Sequence, residues 1–364
     1  PLPLSCLFPI PFHSRGVGGV NTATASTSVT MSMTSASSLP GFATVVVPSS
    51  SASMSGQRPT AAASATTPTL TTHSSDRRAT KVAALVELTK PRLTSMVLVT
   101  VGAGFLLGAR GASHPATLLL TILATGAVAS GASAWNQLLE RDRDRLMKRT
   151  ARRPLPSGRV SPWETAIFGS VLTLGGVLAL AMGANLLAAL TALVTFALYV
   201  AVYTPLKTRT SLNTAVGAIP GALPPVIGWV AATGQLSIEA FALFLIVFLW
   251  QFPHFLAIAW IFREDYERAG YVMLPKLDPT GSITGRQVLL HALALIPVGL
   301  LPYSIGLAGP WYALGATLLG LHYCRAAARF AHNVCDPQAR KLLWSSFLYL
   351  PLAVVLLLLN PLPS

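Results

Sequence analysis

Nine long apolar segments constrain the fold of this chain more than any other feature of its sequence. A helix needs about 20 apolar residues to cross the hydrocarbon core of a bilayer, and helices satisfy every backbone polar group there. Hydrophobic residues make up 52% of the chain. The sequence therefore predicts an all-α polytopic membrane bundle of nine transmembrane helices. The segments cover about residues 93–109, 115–135, 166–183, 185–204, 214–232, 239–261, 288–305, 309–328 and 342–359.

The distribution of basic residues supports this segment count. If nine segments alternate across the bilayer, 23 of the 24 Lys and Arg residues after residue 76 fall on one side, and only Arg110 lies opposite. Such asymmetry is typical of the cytosolic or matrix side of a membrane protein. The net charge of +14 is thus explained by topology, and no nucleic-acid partner is expected because a soluble basic surface with reading residues is missing.

The first 76 residues form a low-complexity leader rich in Ser, Thr and Ala, in which no acidic residue precedes Asp76. An acid-poor, Ser-rich leader is typical of an organellar transit peptide. The alternative is a disordered tail without a targeting role. We expect a leader over 1–76 and one membrane domain over 77–364.

Charge is concentrated in the stretch 136–159, between the second and third segments. These 24 positions hold eight Lys or Arg residues and three carboxylates, in a chain with only 10% charged residues. Asn136, Glu140 and Asp144 are four residues apart, so on a helix they share one face. Oxygen ligands in a row followed by a basic run suit a divalent cation and the phosphate groups that it carries. The alternative is a solvated loop in which these carboxylates pair with neighbouring arginines.

A second acidic cluster is predicted on the same membrane side. An aromatic segment ends in Arg263-Glu264-Asp265-Tyr266, after the sixth apolar segment. Tyr203 and Lys207, which end the fourth segment, share a helical face if the helix continues past Pro205. Alternatively, Tyr203 is an interfacial aromatic residue and Lys207 is a lysine that snorkels to the membrane surface. The three cysteines and seven histidines show neither a disulfide framework nor the spacing of a zinc site.

Four spaced motifs carry a resemblance to a known family. They are Asn136-Gln-x-x-Glu-x-x-x-Asp144, Met147-x-Arg-Thr-x-x-Arg-Pro-Leu-Pro-x-Gly158, Tyr203-Thr-x-x-Lys-x-x-x-x-Asn213, and Trp250-Gln-x-Pro-His-Phe-x-x-x-Ala-Trp260 continued by Asp265-Tyr-x-x-x-Gly-x-x-Met-Leu-Pro275. Over about residues 80–360 the chain resembles the UbiA-type intramembrane prenyltransferases, and within them the branch that farnesylates haem. Long motifs with internal spacing are more specific than single short ones.

The resemblance implies roles for individual residues. Mg²⁺ would be held by Asn136, Glu140 and Asp144 together with Asp265 and Glu264, and these residues, apart from Glu264, would be catalytic. The diphosphate of the prenyl donor would be bound by Lys148, Arg149, Arg153, Tyr203 and Lys207. His254 stands where many relatives carry further aspartates, and it would contact the acceptor, although a structural role is an equal alternative.

The implied reaction transfers a farnesyl group from farnesyl diphosphate to the vinyl group of haem B, giving haem O for cytochrome oxidase. The implied setting is the lipid bilayer of the mitochondrial inner membrane, with the site facing the matrix and a downstream haem-modifying enzyme as a further partner. A related prenyltransferase for a quinone precursor or chlorophyllide is the nearest alternative. A transporter is the alternative of another class, although most segments lack the midplane ionisable residues that a transport path usually needs.

Overall fold

The computed structural model describes residues 72–112 and 114–362, and these residues form a helical bundle. The leader predicted for residues 1–76 lies outside them, apart from the first residues of α1. The helices in chain order are α1 Thr72–Leu88, α2 Pro91–Ala109, α3 Pro115–Asp144, α4 Pro162–Gly183, α5 Leu186–Leu206, α6 Asn213–Thr233, α7 Ile238–Ile261, α8 Arg263–Arg268, α9 Leu274–Leu277, α10 Ser282–Ser304, α11 Pro310–His332 and α12 Asp336–Leu359.

The predicted all-α polytopic architecture is confirmed. Eight helices in the described part of the chain are long and apolar enough to cross a membrane: α2 to α7, α10 and α12. The remaining predicted segment, 309–328, lies in α11, which is 23 residues long but less apolar. Its last three turns carry His322, Arg325 and Arg329, all exposed, and these polar side chains are the reason for the difference.

Small residues bring α2 and α6 into backbone contact. A Cβ atom on Gly104 would lie 2.0 Å from the carbonyl oxygen of Pro225, and one on Gly228 would lie 1.9 Å from that of Val101. Membrane helices commonly use small residues for such close approach, because lipid supplies no hydrophobic driving force between helices. The first and fifth spans are therefore held together at a separation that larger side chains would not permit.

Two membrane helices depart from regular α geometry. Residues Leu198–Tyr203 of α5 form a π-helical turn, and Pro220, Pro224 and Pro225 interrupt α6 at Leu223. Proline removes a helical hydrogen bond, and π-helical turns frequently occur at functional sites. Both irregularities lie in helices that pack against α3.

Candidate active site

The polar end of α3 forms the base of the site. The helix continues nine residues beyond the apolar segment predicted for 115–135 and ends at Asp144. Asn136, Glu140 and Asp144 follow one another at single-turn intervals and are 1%, 6% and 0% exposed. Because an ionised carboxylate is costly to bury without a partner, this burial argues against a solvated loop for Glu140 and Asp144.

Glu140 and Asp144 are each paired with a cation from another part of the chain. The Lys207 Nζ donates to Glu140 Oε1 at 2.7 Å, and the Arg153 Nη1 donates to Asp144 Oδ2 at 2.7 Å. Lys207 follows α5, and Arg153 belongs to the loop between α3 and α4. The structure therefore brings four residues of the predicted site together around one face of α3.

A third cation, Lys90, completes this cluster and was missed by the sequence analysis. It lies between α1 and α2 in a left-handed backbone conformation, with φ of 48°. Its Nζ atom lies 3.4 Å from Asn136 Oδ1, and the Asn136 Nδ2 donates to Thr204 Oγ1. Burial, followed by the charge of Arg153, lowers the pKa of Lys90 to about 7. The only signal in the sequence was a lysine directly before the first span.

Tyr203 lies under the lysine that pairs with Glu140. The Lys207 Nζ is 4.5 Å from the centroid of the Tyr203 ring, so the two residues share a face as predicted. The helix continues past Pro205 through one short turn, Thr204–Leu206. Lys207 therefore contacts both a carboxylate and the face of an aromatic ring, which is a favourable position for a cation.

The Gly217→Ala substitution is expected to lower activity by about tenfold with a small effect on folding. A Cβ atom on Gly217 would lie 2.5 Å from the ring of Tyr203, so the ring must move away from Lys207. Steady-state kinetics and the thermal midpoint of the purified variant test this. Gly175→Ala is the matched control, because a Cβ there meets nothing within 4 Å, and equal activity of the two variants would contradict the prediction.

The loop between α8 and α9 is joined to the same cluster by hydrogen bonds of its backbone. Gly270 turns the chain with φ of +75°, and the backbone N–H of Val272 donates to the carbonyl of Lys207 at 2.7 Å. The Asn213 side chain donates to the carbonyl of Val272 at 2.8 Å. Asn213 occurs in the third sequence motif, but its role as a link between the two loops could not be inferred from spacing.

Two buried polar atoms of the site have no hydrogen-bond partner among the residues that the structure describes. They are Asp144 Oδ1 and the hydroxyl of Tyr271, and Tyr271 is only 2% exposed. Burial raises the pKa of Tyr271, so its hydroxyl remains a protonated donor at neutral pH. Because buried polar groups normally have partners, one free acceptor and one free donor indicate a site that accommodates a polar ligand.

The second acidic cluster lies on the mouth of the bundle. Asp265 pairs with Arg268 at 2.8 Å, whereas Glu264 and Lys148 are exposed. Arg149 lies 4.9 Å from the ring centroid of Phe262 and so links the α3–α4 loop to the region of Asp265. No group of three or more His, Cys, Asp or Glu side chains within residues 72–112 and 114–362 is positioned to hold a metal ion. That the two clusters share a metal stays a prediction.

His254 lies on another face of the bundle, between α7 and α12. Its Nδ1 is 2.8 Å from the Ser346 Oγ, which itself donates to the carbonyl of Leu343. Because the Ser346 hydroxyl donates its proton to Leu343, the hydroxyl oxygen accepts from His254 Nδ1. The Nδ1 atom therefore carries the ring proton, and Nε2 retains its lone pair. Trp250 stacks on the imidazole with centroids 4.9 Å apart. From His254 to Ile261, the last residue of α7, the helix rises about 10 Å, and Asp265 lies beyond that end in α8.

Comparison with known proteins agrees with this geometry. Residues 97–357 match the UbiA prenyltransferase family. The chain is 48% identical over 284 residues to a protein named protoheme IX farnesyltransferase from Solibacter usitatus, covering 76% of this chain and 97% of that one. It is 38% identical over 276 residues to the protein named protoheme IX farnesyltransferase, mitochondrial, from Arabidopsis thaliana, covering 75% of this chain and 64% of that one.

Solved structures share the fold at low sequence identity. A structure reported for digeranylgeranylglyceryl phosphate synthase superposes with a TM-score of 0.64 at 17% identity, covering 77% of this chain and 98% of that one. A UbiA homolog from Archaeoglobus fulgidus bound to GPP and Mg²⁺ gives a TM-score of 0.56 at 17% identity, covering 75% and 99%. The sequence match, the shared fold and the buried charge cluster agree, and the chain belongs to the UbiA prenyltransferase family.

Proposed function

We propose that this membrane prenyltransferase transfers the farnesyl group of farnesyl diphosphate to a vinyl group of haem B and so produces haem O. The observation that carries the proposal is the buried cluster of Glu140, Asp144, Lys207, Arg153 and Lys90, which suits a multiply charged anion and its counter-cation. The acceptor is supported by relatives named protoheme IX farnesyltransferase, which match about three quarters of the chain.

The donor set of the site fits Mg²⁺. Carboxylate and amide oxygens are the ligands that hard cations prefer, and Asp144 Oδ1 is a buried oxygen without a partner. We assign the metal to Asn136, Glu140 and Asp144, joined by Asp265 and Glu264 from the second cluster. When bound, Mg²⁺ would add positive charge beside the departing diphosphate and favour its release.

The basic residues divide into an inner and an outer group. Lys90, Arg153 and Lys207 surround the polar end of α3 and would hold the diphosphate oxygens. Lys148 and Arg149 are exposed at the mouth and would guide the anion inward. Positive charge fixed before the reaction stabilises the charge that develops on the leaving group, and such stabilisation is commonly the largest catalytic contribution.

The aromatic residues of α5 would protect the reacting carbon. Breaking the allylic C–O bond leaves a cation, and the rings of Tyr199 and Tyr203, with centroids 5.5 Å apart, offer electron-rich surfaces beside Lys207. A haem vinyl carbon then forms the new C–C bond. Water adds a hydroxyl group to the neighbouring carbon and releases a proton, which completes the hydroxyethylfarnesyl substituent.

His254 is assigned to the acceptor. Its Nδ1 is held by Ser346, its Nε2 keeps a lone pair, and Trp250 stacks beside it. A neutral imidazole oriented by its second nitrogen is suited to contact a porphyrin or its iron. We further propose that the chain resides in the mitochondrial inner membrane with its site toward the matrix. The mitochondrial relative and the one-sided basic charge support this.

Conversion of haem B by the purified protein tests the proposed function. With farnesyl diphosphate and Mg²⁺, mass spectrometry should detect a product heavier by a farnesyl group plus a hydroxyl group, and chelation by EDTA should abolish it because charge on the leaving group is no longer offset. Restoring Mg²⁺ is the control.

The alternatives give different results in the same assay. Consumption of the diphosphate only when a quinone precursor or chlorophyllide is offered would retain the chemistry and replace the acceptor. No consumption under any condition, with solute flux in reconstituted vesicles, would favour a transporter.

A further inference from the structure

An exposed stripe on α11 combines a lipid-facing surface with a row of basic side chains. Trp311, Leu314 and Leu318 are 71%, 53% and 59% exposed. The exposed residues His322, Arg325, Arg329 and His332 continue the same stripe. The spacing of three or four residues places all seven on one face of the helix. The stripe, defined by these seven residues, therefore changes from apolar to basic part-way along a helix of the membrane bundle.

The apolar part of the α11 stripe is too short to cross the whole hydrocarbon core of the bilayer. From Trp311 to His322 the helix rises about 16 Å, and from Trp311 to Arg325 about 21 Å, whereas the hydrocarbon core is about 30 Å thick. With Trp311 at the opposite interface, His322 and Arg325 lie within reach of acyl chains on the basic side. Exposed charge at this depth is costly unless it is paired or reaches the interface.

The described protein residues supply no acidic partner for this charge. Arg325 and Arg329 form no ion pair within residues 72–112 and 114–362, and neither do Arg340 and Lys341 at the start of α12. The carboxylate nearest to them in sequence, Asp336, accepts from Arg263 at 2.7 Å. Arg141 and Arg145 differ from them, because these two arginines share one carboxylate, Asp142, at 3.5 Å and 3.8 Å. The surface thus carries unbalanced positive charge.

We propose that the α11 stripe binds the phosphate headgroup of an anionic phospholipid. The headgroup would pair with Arg325 and Arg329, and the acyl chains would lie along Leu318, Leu314 and Trp311. Such a ligand matches both halves of the stripe, because an acidic protein segment would satisfy the cations but leave the apolar half uncovered. Basic surfaces at this side of membrane helices are suited to anionic lipid headgroups.

Native mass spectrometry with defined lipids tests this proposal independently of catalysis. The wild-type protein should retain phosphatidylglycerol in preference to phosphatidylcholine. The double substitution Arg325→Gln and Arg329→Gln should weaken phosphatidylglycerol retention by about 30-fold, because each surface cation contributes roughly a fivefold gain. Replacing both residues by lysine should preserve it. Arg141→Gln with Arg145→Gln is the matched control, since it removes the same charge from two arginines that share a protein carboxylate, Asp142.

Three results would overturn the proposal. They are equal retention of the two lipids by the wild-type chain, undiminished retention by the glutamine variant, and a changed oligomeric mass of that variant with unchanged lipid binding. The last result would identify the stripe as an interface between copies. If the double variant does not fold, Arg329→Gln in the last turn of α11 should still weaken retention about fivefold, and no weakening would contradict the proposal.

Discussion

The Asp144→Asn variant is expected to lose at least about 100-fold in kcat/KM, because it removes a carboxylate ligand of the proposed Mg²⁺, which would offset the charge on the departing diphosphate. Asn keeps the shape of the side chain but cannot balance Arg153, which lies 2.7 Å away. The variant should also require a higher Mg²⁺ concentration for half-maximal rate. A Mg²⁺ titration of initial rates, together with the thermal midpoint, separates this effect from loss of folding.

Asp142→Asn is the control for Asp144. It makes the same change two residues away, but the Asp142 side chain is 72% exposed and its arginine partners lie 3.5 Å and 3.8 Å away. Exposed pairs of this kind contribute little, so activity should remain within about twofold of wild type. Comparable rates for Asp144→Asn and Asp142→Asn would remove Asp144 from the proposed metal site.

The Lys207→Met variant should lose roughly two to three orders of magnitude in activity, because it removes a positive charge that stabilises the leaving group. Its stability should fall as well. Glu140 would be left without its partner in a buried position, and breaking a buried pair costs about 3–5 kcal/mol. Rates at saturating donor concentration and unfolding in detergent measure the two effects separately.

A double substitution distinguishes the two roles of Lys207. Adding Glu140→Gln to Lys207→Met removes the uncompensated charge and should restore much of the stability, but not the activity. Lys276→Met, an exposed lysine on the same side, should leave both unchanged. Recovery of activity in the double variant would remove Lys207 from the proposed donor site and Glu140 from the proposed metal site.

The helices and the first acidic cluster could be predicted from the sequence for physical reasons. Apolar length determines membrane helices, and the structure has a helix for each predicted segment. The spacing of Asn136, Glu140 and Asp144 determines their common face because α-helical geometry is regular. Tyr203 and Lys207 also lie together as predicted, since the helix continues through Pro205.

Tertiary contacts could not be predicted in the same way. Lys90 approaches Asn136 only because its backbone adopts a left-handed conformation, and Tyr271 is directed inward by the turn at Gly270. The pairing of Glu140 with Lys207, rather than with an adjacent arginine, depends on how α3 and α5 pack. None of these contacts has a periodic pattern in the sequence.

The unfilled hydrogen-bonding capacity of Asp144 Oδ1 and Tyr271, described above, has a consequence for the amount of protein in the cell. A ligand that binds only the folded state raises stability in proportion to the logarithm of its concentration. The chain with an empty site is therefore the form most exposed to quality-control proteases. Supply of donor and metal would then set the lifetime of the enzyme as well as its rate, so that a membrane short of prenyl diphosphate retains less of the protein that consumes it.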